Sequence, residues 1–350
     1  MAEKPQIGVA FSGGVDSAVC VRLLQEQGFD VTAWHMLTCR NQVDPATVAL
    51  AEALNVPLHV LDFRETFEQT VVAPFFQAYA DGRTPNPCLI CNAKLKFGKL
   101  REAIGGPMAT GHYVRLGTEP HSGKPTLCCA ADPNKDQSYF LYDLPAEALN
   151  DLHFPLGEFT RAQVVEYAKA WRLPIPEAKL SAGSQDICFL PEGDYRPELR
   201  RRHPETARPG KVLDMEGRVL GMHQGLAGIT RGQRKGLGIA TGGRAFAVGF
   251  DYQQNTLTLG PKEALEVTAF RIERPNWLIP PTFPLSCVAV TRYHHRPIPC
   301  EVAADGCVRL TTPQTLVTPG QACVFYRDNY LLGGGIIQSL GQATRALIEG

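Results

Sequence analysis

The stretch Ser12-Gly13-Gly14-Val15-Asp16-Ser17 separates an apolar run, Gln6–Phe11 (QIGVAF), from a helical pattern over Asp16–Gln27. In that pattern Val19/Leu23 and Cys20/Leu24 recur four apart, and Gly28 ends it. A buried strand that turns through two glycines straight into a helix commits the chain to a sheet with helices laid on its faces. The alternation continues. Val31–Met36 reads as a second strand, Pro45–Leu54 as a helix and Pro57–Phe63 as a third strand. Glu65–Tyr79 reads as a helix kinked at Pro74, Asn92–Ile104 as another helix, and Met108–Thr110 as a short strand. The expected fold is α/β with a parallel sheet.

The two glycines let the backbone turn and approach a ligand closely. The following helix N-terminus offers free N–H groups and a positive dipole end, which suit phosphate. Ser12 and Ser17 add hydroxyls. Asp16, an acid beside an anion site, is expected to cap the helix or hold magnesium. A bare glycine turn with a capping side chain would explain a lone Ser-Gly-Gly; the full six residues after a buried strand favour nucleotide binding. The loop lacks the lysine of the common P-loop. It resembles the loop of the ATP pyrophosphatases, which cleave ATP to AMP and pyrophosphate to adenylate an oxygen.

The 350 residues are enough for two or three domains. Lys plus Arg and Asp plus Glu number 35 each. Any nucleic-acid contact must therefore come from local basic patches. Residues 1–10 have no signal-peptide pattern, and no apolar run reaches the roughly 20 residues of a membrane helix. A cytoplasmic protein without a membrane partner is expected. In a reducing compartment the 11 cysteines should be mostly thiols. After about residue 200 the spelling changes to Gly, Pro and short β-like runs (KVLD, GRVLG, RAFAVGF, NTLTLG, then SCVAVTRY, CVRLTT and QACVFY). This places domains at 1–200, 201–267 and 268–350. Thr160 and Gln163 form a capping box ahead of a further helix.

Six further stretches follow in order: Arg83-Thr-Pro-Asn-Pro-Cys88-Leu-Ile-Cys91-Asn92, Ala109-Thr-Gly-His-Tyr113, Lys135-Asp-Gln-Ser-Tyr-Phe-Leu141, Asp186-Ile-Cys188-Phe189, Gly232-Gln-Arg-Lys-Gly-Leu-Gly238 and Pro319-Gly-Gln321. Together they closely resemble the bacterial tRNA-specific 2-thiouridylases, which replace O2 of the wobble uridine with sulfur. The resemblance implies a Rossmann-like ATP-pyrophosphatase domain, a small β-rich central domain and a C-terminal β-barrel-like domain. It also implies a tRNA substrate, ATP with Mg2+, and a sulfur source that is a cysteine desulfurase, a sulfur relay protein or free sulfide. By motif, Ala10, Phe11, Ser12, Gly13, Gly14, Val15, Asp16 and Ser17 would cradle ATP, with Met36 and Gly111 beside it. Asn86, Pro87 and Cys88 would lie against the target base. Cys91 matches the nucleophile and Cys188 the persulfide carrier. His112, Lys135, Asp136, Gln137, Arg292, Tyr293 and Gln321 match tRNA-contacting positions.

Such a reaction makes a poor leaving oxygen into a good one by adenylation, and then needs a soft sulfur nucleophile. A persulfide supplies it, and a second cysteine releases it, leaving a disulfide for a reductant. Cys91 and Cys188 should therefore meet in space. Cys91, read as opening a helix, should have its thiol pKa lowered by the dipole. The target base must leave the anticodon stack to be reached.

Three departures from the family pattern stand out. Many members have aspartate where this chain has Cys88; with Cys91 and Cys188 it could ligate a [4Fe–4S] cluster holding a sulfide, as in some related RNA-thiolating enzymes. Persulfide and cluster both remain open on the sequence, and a zinc site drawing on His112 is less favoured for want of a fourth ligand. The Leu37–Val43 segment is shorter than usual and lacks its acidic stretch, and Cys39 stands there. The family's Ser-Thr-Gly-Ile-Cys is Ser184-Gln-Asp-Ile-Cys188 here, so Asp186 adds a charge near Cys188.

The remaining features read more blandly. Cys20, Cys128, Cys129, Cys287, Cys300, Cys307 and Cys323 read as packing residues. Arg200–Arg202 reads as a solvated helix end; Arg231, Arg234 and Lys235 are as consistent with a turn as with phosphate contact. Two competing functions remain: a pyrophosphatase joining a nitrogen nucleophile to an adenylated small molecule, which would need neither Cys91 nor Cys188, and a catalytically idle RNA-binding protein.

Overall fold

The computed structural model describes residues 4–181, 187–190, 193–239, 243–315 and 317–338. Strand β1 (Gln6–Ala10) leads through the glycine loop into helix α1 (Val15–Glu26), followed by β2 (Asp30–Leu37), α2 (Pro45–Ala53) and β3 (Leu58–Asp62). Two continuous helices, 64–80 and 87–104, precede β4 (Met108–Thr110). A hairpin of β5 (Arg115–Thr118) and β6 (Pro125–Cys128) comes next, then β7 (Leu152–His153) and the helix Arg161–Ala170. The first sheet is wholly parallel, in the order β3-β2-β1-β4-β7.

Helix α1 is apolar nearly all round because it is covered on two sides. Ala18, Val21 and Leu24 pack with Ile7, Val9 and Val31 against the sheet. Val15, Val19 and Leu23 pack with Tyr113, Val164 and Ala168 on the other side. A fully buried Val or Leu contributes about 1.5–3 kcal/mol, so α1 is held rigidly under the loop it follows. The strand order carries the consequence. From β1 the chain steps outward to β2 and β3, then returns to β4 on the other flank of β1. Open α/β sheets take ligands in the crevice at the carboxyl ends of their strands, where the order reverses in this way.

The second sheet, β10 (Phe246–Asp251), β11 (Thr256–Gly260), β8 (Gly210–Leu213) and β9 (Val219–His223) in that order, encloses a small core of Val212, Leu226, Ala247, Leu257 and Leu259. The third closes on itself: β12 (Val267–Trp277), β15 (Cys307–Gln314), β14 (Ile298–Val302), β13 (Leu285–Val290), β16 (Ala322–Arg327) and β17 (Tyr330–Ile337), with β17 returning to β12. Closure leaves this six-stranded antiparallel barrel without free edges. The β5–β6 hairpin also joins it through Tyr330↔Cys128. One core cluster, including Leu89, Met108, Leu127 and Tyr139 together with Leu278, Val290 and Val324, is shared between the barrel and the first sheet's helices.

One expectation changes. The helix assigned to Asn92–Ile104 begins at Pro87, because Asn86 caps it by accepting from the Cys88 N–H at 3.1 Å and Pro87 fills the first helical position. The helix 64–80 continues past Pro74, with a wide-wound π turn at Glu68–Val72 ahead of it.

Candidate active site

The glycine loop sits at the reversal point between β1 and β4. Gly13 has φ +77°, and a Cβ there would lie 2.1 Å from Thr47 Oγ1 of α2. Gly111, just past β4, approaches so closely that a Cβ would lie 2.9 Å from the carbonyl carbon of Asp16. The Gly14 N–H donates to Ser12 Oγ (3.3 Å), the Ser17 hydroxyl donates to Gly14 O (2.9 Å), and the two serine hydroxyls are 3.2 Å apart. Gly14 occupies the N-cap with no side chain to bond the first turn, so that turn's orphan N–H groups face the crevice. Phe11 and Val15 are buried, so any ligand contact they make is through their backbone.

Asp16 corrects an expectation. It does not cap α1; its Oδ1 accepts from the Tyr113 hydroxyl at 2.7 Å and pairs with the Arg161 guanidinium. Burial, and then the Asp16 charge, push the Tyr113 phenol pKa up, so it stays a donor. Tyr113 is itself held by Gln137: the Tyr113 N–H donates to Gln137 Oε1 (2.9 Å) and the Gln137 N–H to Tyr113 O (2.8 Å). Tyr113 and Arg161 were not assigned roles from sequence. They lie 97 and 145 positions from Asp16, beyond any local pattern.

Two thiol-bearing segments, one around Cys91 and one around Cys188, meet on an aromatic cluster. Cys88 lies in the first turn of the helix 87–104 and Cys91 one turn later, where a π-wound stretch, Cys91–Leu100, begins. Cys91 is half-buried against a cluster that includes Phe67, Phe75 and Leu95, and Ile187 and Phe189 pack on the same cluster. Phe189 sets its ring edge-on to Phe75 at 5.2 Å and Phe67 at 5.8 Å, which anchors the residue beside Cys188. The Cys188 thiol is exposed and feels the charges of Cys39, Cys91 and Cys88. Cys39 lies just past β2, exposed, with its Sγ 3.6 Å from Thr38 Oγ1. Proximity to Cys188, opposed by desolvation and aided by Thr38 and Arg40, pulls the Cys39 pKa down to about 6. The same proximity, with burial, pushes Cys188 up.

The expected dipole effect on Cys91 is overturned. The helix starts four residues before it, and burial raises the Cys91 pKa above the ordinary thiol value. Burial raises Cys88 too, and the Lys96 charge opposes the rise at both. Lys96 is the functional candidate that sequence reasoning missed. Lys94, Lys96 and Lys99 lie on one helix, and of the three Lys96 is the half-buried one whose charge bears on both thiols.

The other predicted positions divide. Arg292 is exposed; Lys135 and Met36 are half-buried, Met36 packing beside Cys91. Tyr293 lies against Phe140, ring centres 4.4 Å apart. His112 is only 8% exposed, bonded through Nδ1 to Thr110 Oγ1 (2.8 Å), and burial, then Lys96, lower its pKa. Asp136 braces a turn, accepting from the Ala130 N–H (2.8 Å) and the Ser138 hydroxyl (2.7 Å). The Gln321 amide donates to Thr84 O (2.8 Å), the Thr84 N–H donates to Pro319 O (2.9 Å), and Arg83 pairs with Glu273 (3.0 Å), so the barrel grips the strand of chain leading to Asn86. Pro87 is buried, and the Asn86 side-chain oxygen is engaged in its cap. Arg201 and Arg202 pair with Glu198, and Arg202 also with Glu68. Asp186 lies outside the described residues. Among the described residues no three His, Cys, Asp or Glu side chains gather closely enough to hold a metal ion. No helix among these residues is long and apolar enough to cross a membrane.

Comparison with known proteins covers nearly the whole chain. Family models match in sequence: a tRNA methyl transferase HUP domain at residues 5–192, a tRNA methyl transferase PRC-barrel domain at 199–261 and an aminomethyltransferase beta-barrel domain at 267–337. The tRNA-specific 2-thiouridylase MnmA of Desulforudis audaxviator is 41% identical over 340 residues, covering 95% of this chain and 98% of the relative. That of Bradyrhizobium sp. is 39% identical, covering 99% and 95%. Among solved structures, a 4-thiouridine synthetase–RNA complex with bound ATP aligns at TM-score 0.34 and 15% identity over 57% of this chain and 51% of that one, too slight a likeness to bear on function.

Proposed function

Since the chain belongs to the tRNA-specific 2-thiouridylase family, we propose that it is an ATP-dependent tRNA thiolating enzyme that installs sulfur at position 2 of a wobble uridine from a Cys188 persulfide. The observation that supports this reading is that Cys91 and the neighbours of Cys188, Ile187 and Phe189, pack on one aromatic cluster although the two cysteines are 97 positions apart in sequence (188 less 91), in a chain whose phosphate loop lies at the sheet's reversal point. The names of the matching models speak of methyl transfer. A methyl group carried by a sulfonium donor needs neither ATP cleavage nor a thiol pair, whereas sulfur transfer uses both.

In the proposed cycle ATP, with its Mg2+, lays its phosphates on the Ser12–Ser17 loop and the free N–H groups of α1. The Asp16–Tyr113–Arg161 constellation fixes the start of that helix. Uridine O2 attacks the α-phosphorus, the bond to pyrophosphate breaks, and C2 becomes electrophilic. A sulfur-donor protein of the desulfurase or relay type has already charged Cys188 as Cys188–S–SH. Its terminal sulfur, deprotonated, adds to C2. The Cys91 thiolate, favoured by Lys96, attacks Cys188 Sγ. The persulfide S–S bond breaks, a Cys91–Cys188 disulfide forms, the sulfur stays on C2, and AMP departs. An external thiol reductant then supplies two electrons and two protons. Arg292 and Lys135 would meet RNA phosphates. His112 supports the pocket floor, while Asp136, Gln137 and Gln321 act by holding the site's loops.

Two measurements test this. Incubation with ATP, a persulfide-charged donor and unmodified tRNA should yield 2-thiouridine, with Cys188→Ser abolishing it. AMP formation that depends on a small amine acceptor, without 2-thiouridine, would support the nitrogen-ligating alternative instead. Anaerobic purification with iron and sulfide analysis addresses the cluster alternative: stoichiometric iron lost in Cys88→Ser would replace the persulfide scheme.

A further inference from the structure

We propose that Cys287 and Cys300 are a second working thiol pair, which a small-molecule disulfide oxidises to a reversible bridge across the root of the hairpin that carries Arg292 and Arg296. Cys287 lies on β13 and Cys300 on β14, and the two are directly opposed in the antiparallel register. Their sulfurs are already in contact at 3.6 Å. Opposed residues of an antiparallel pair have Cα atoms about 4.5–5.5 Å apart. That separation falls within the roughly 4.4–6.8 Å that a disulfide spans. Rotation of the two side chains can close the remaining gap to the bonding distance of about 2.05 Å with the strands in place. The barrel's other thiols, Cys307 and Cys323, are both buried, so a reagent meets Cys287 first.

Unequal access sets the order of events. Cys287 is half-buried, whereas Cys300 is buried with Leu285, Ile298 and Val302 in the barrel core. The Cys287 thiolate attacks a glutathione-type disulfide, giving a mixed disulfide on Cys287 and one free small thiol. The Cys300 thiolate then attacks Cys287 Sγ. The bond from Cys287 to the small thiol breaks, the Cys287–Cys300 bond forms, and the second small thiol leaves. Two electrons and two protons pass from the pair to the small disulfide, and excess dithiol reverses the exchange. The bridge ties the two strands that lead to residues 291–297, where Arg292, His294 and Arg296 are exposed and Tyr293 packs on Phe140. A fixed root leaves this basic tip less freedom to lose on meeting RNA, so the bridged protein should hold tRNA more tightly. That consequence rests on the thiolation reading; the bridge itself does not.

The test is incubation of the full chain with oxidised glutathione, then alkylation under denaturing conditions and mapping by mass spectrometry. Wild-type protein should show a Cys287–Cys300 bridge that dithiothreitol removes, and slower amide hydrogen exchange over residues 285–302. Cys300→Ser should stop at a glutathione adduct on Cys287, and Cys287→Ser should leave Cys300 a free thiol. Cys300→Ala, which puts no hydroxyl into the core, should stop at the same adduct. Wild-type protein with both thiols alkylated after oxidation, or with an adduct on Cys300 in place of Cys287, would overturn the proposal whatever the other cysteines do. Binding of unmodified tRNA at fixed salt should be several-fold tighter for bridged than for reduced wild type. Cys287→Ser oxidised in parallel reports any change that comes from Cys39, Cys88, Cys91 or Cys188, and should show no such gain. Equal affinities with the bridge mapped would overturn its role in RNA binding and leave the disulfide site standing. No tRNA binding in either state would overturn that role together with the thiolation reading.

Discussion

At the residue scale, the reactivity of Cys91 is set by two opposed surroundings. Burial raises its pKa and the Lys96 charge lowers it. The thiolate is the attacking form and is populated only above the pKa. A raised pKa therefore predicts that the rate of sulfur release in single turnovers climbs with pH across the alkaline range. Lys96→Met removes the lowering charge and should shift that rise to higher pH while slowing the step at neutrality; an unmoved profile would show that Lys96 does not act on Cys91. Gly13 makes a different demand. Its left-handed backbone costs a residue with a Cβ about 1–2 kcal/mol, and that Cβ would overlap Thr47. Gly13→Ala should lower Tm and abolish AMP production.

At the scale of elements, the helix bearing Cys88 and Cys91 depends on its cap. Asn86→Ala should cost about 1 kcal/mol of stability, read by thermal denaturation. Asn86→Asp keeps an acceptor and should retain most of that stability, so any loss of thiolation in it reports contact with the base. Gln321→Ala removes the barrel's hold on Thr84 and should lower kcat while leaving KM for ATP unchanged; unchanged kcat would show the grip to be incidental. The parallel sheet, α1 and the Thr160/Gln163 box were legible because their signals are local: strand–glycine–helix order, four-residue apolar spacing, and a box in which both reciprocal bonds form. The start at Pro87 was legible in principle from Asn86-Pro87, but the apolar pattern drew the boundary to Asn92. The six-strand closure pairs residues 56 to 65 positions apart (277 with 333, 272 with 337) and the β5–β6 hairpin's attachment to the barrel pairs residues 202 apart (128 with 330), and no local pattern encodes them.

At the scale of the molecule, the shared core between barrel and first sheet explains how residues 319–321 reach the loop ahead of Asn86. The site was legible as a set of motifs and illegible as a geometry. The sequence placed Cys91 and Cys188 in one reaction through resemblance, yet Lys96, Tyr113 and Arg161 emerge only when the chain folds. The central claim is that ATP cleavage and the Cys91–Cys188 pair jointly put sulfur on uridine. The most direct test is nucleoside analysis of tRNA after incubation with the full chain, ATP and a persulfide-charged donor, comparing wild type with Cys91→Ser/Cys188→Ser. The account predicts 2-thiouridine with equimolar AMP for wild type and none for the double variant; undiminished 2-thiouridine in the double variant would contradict it.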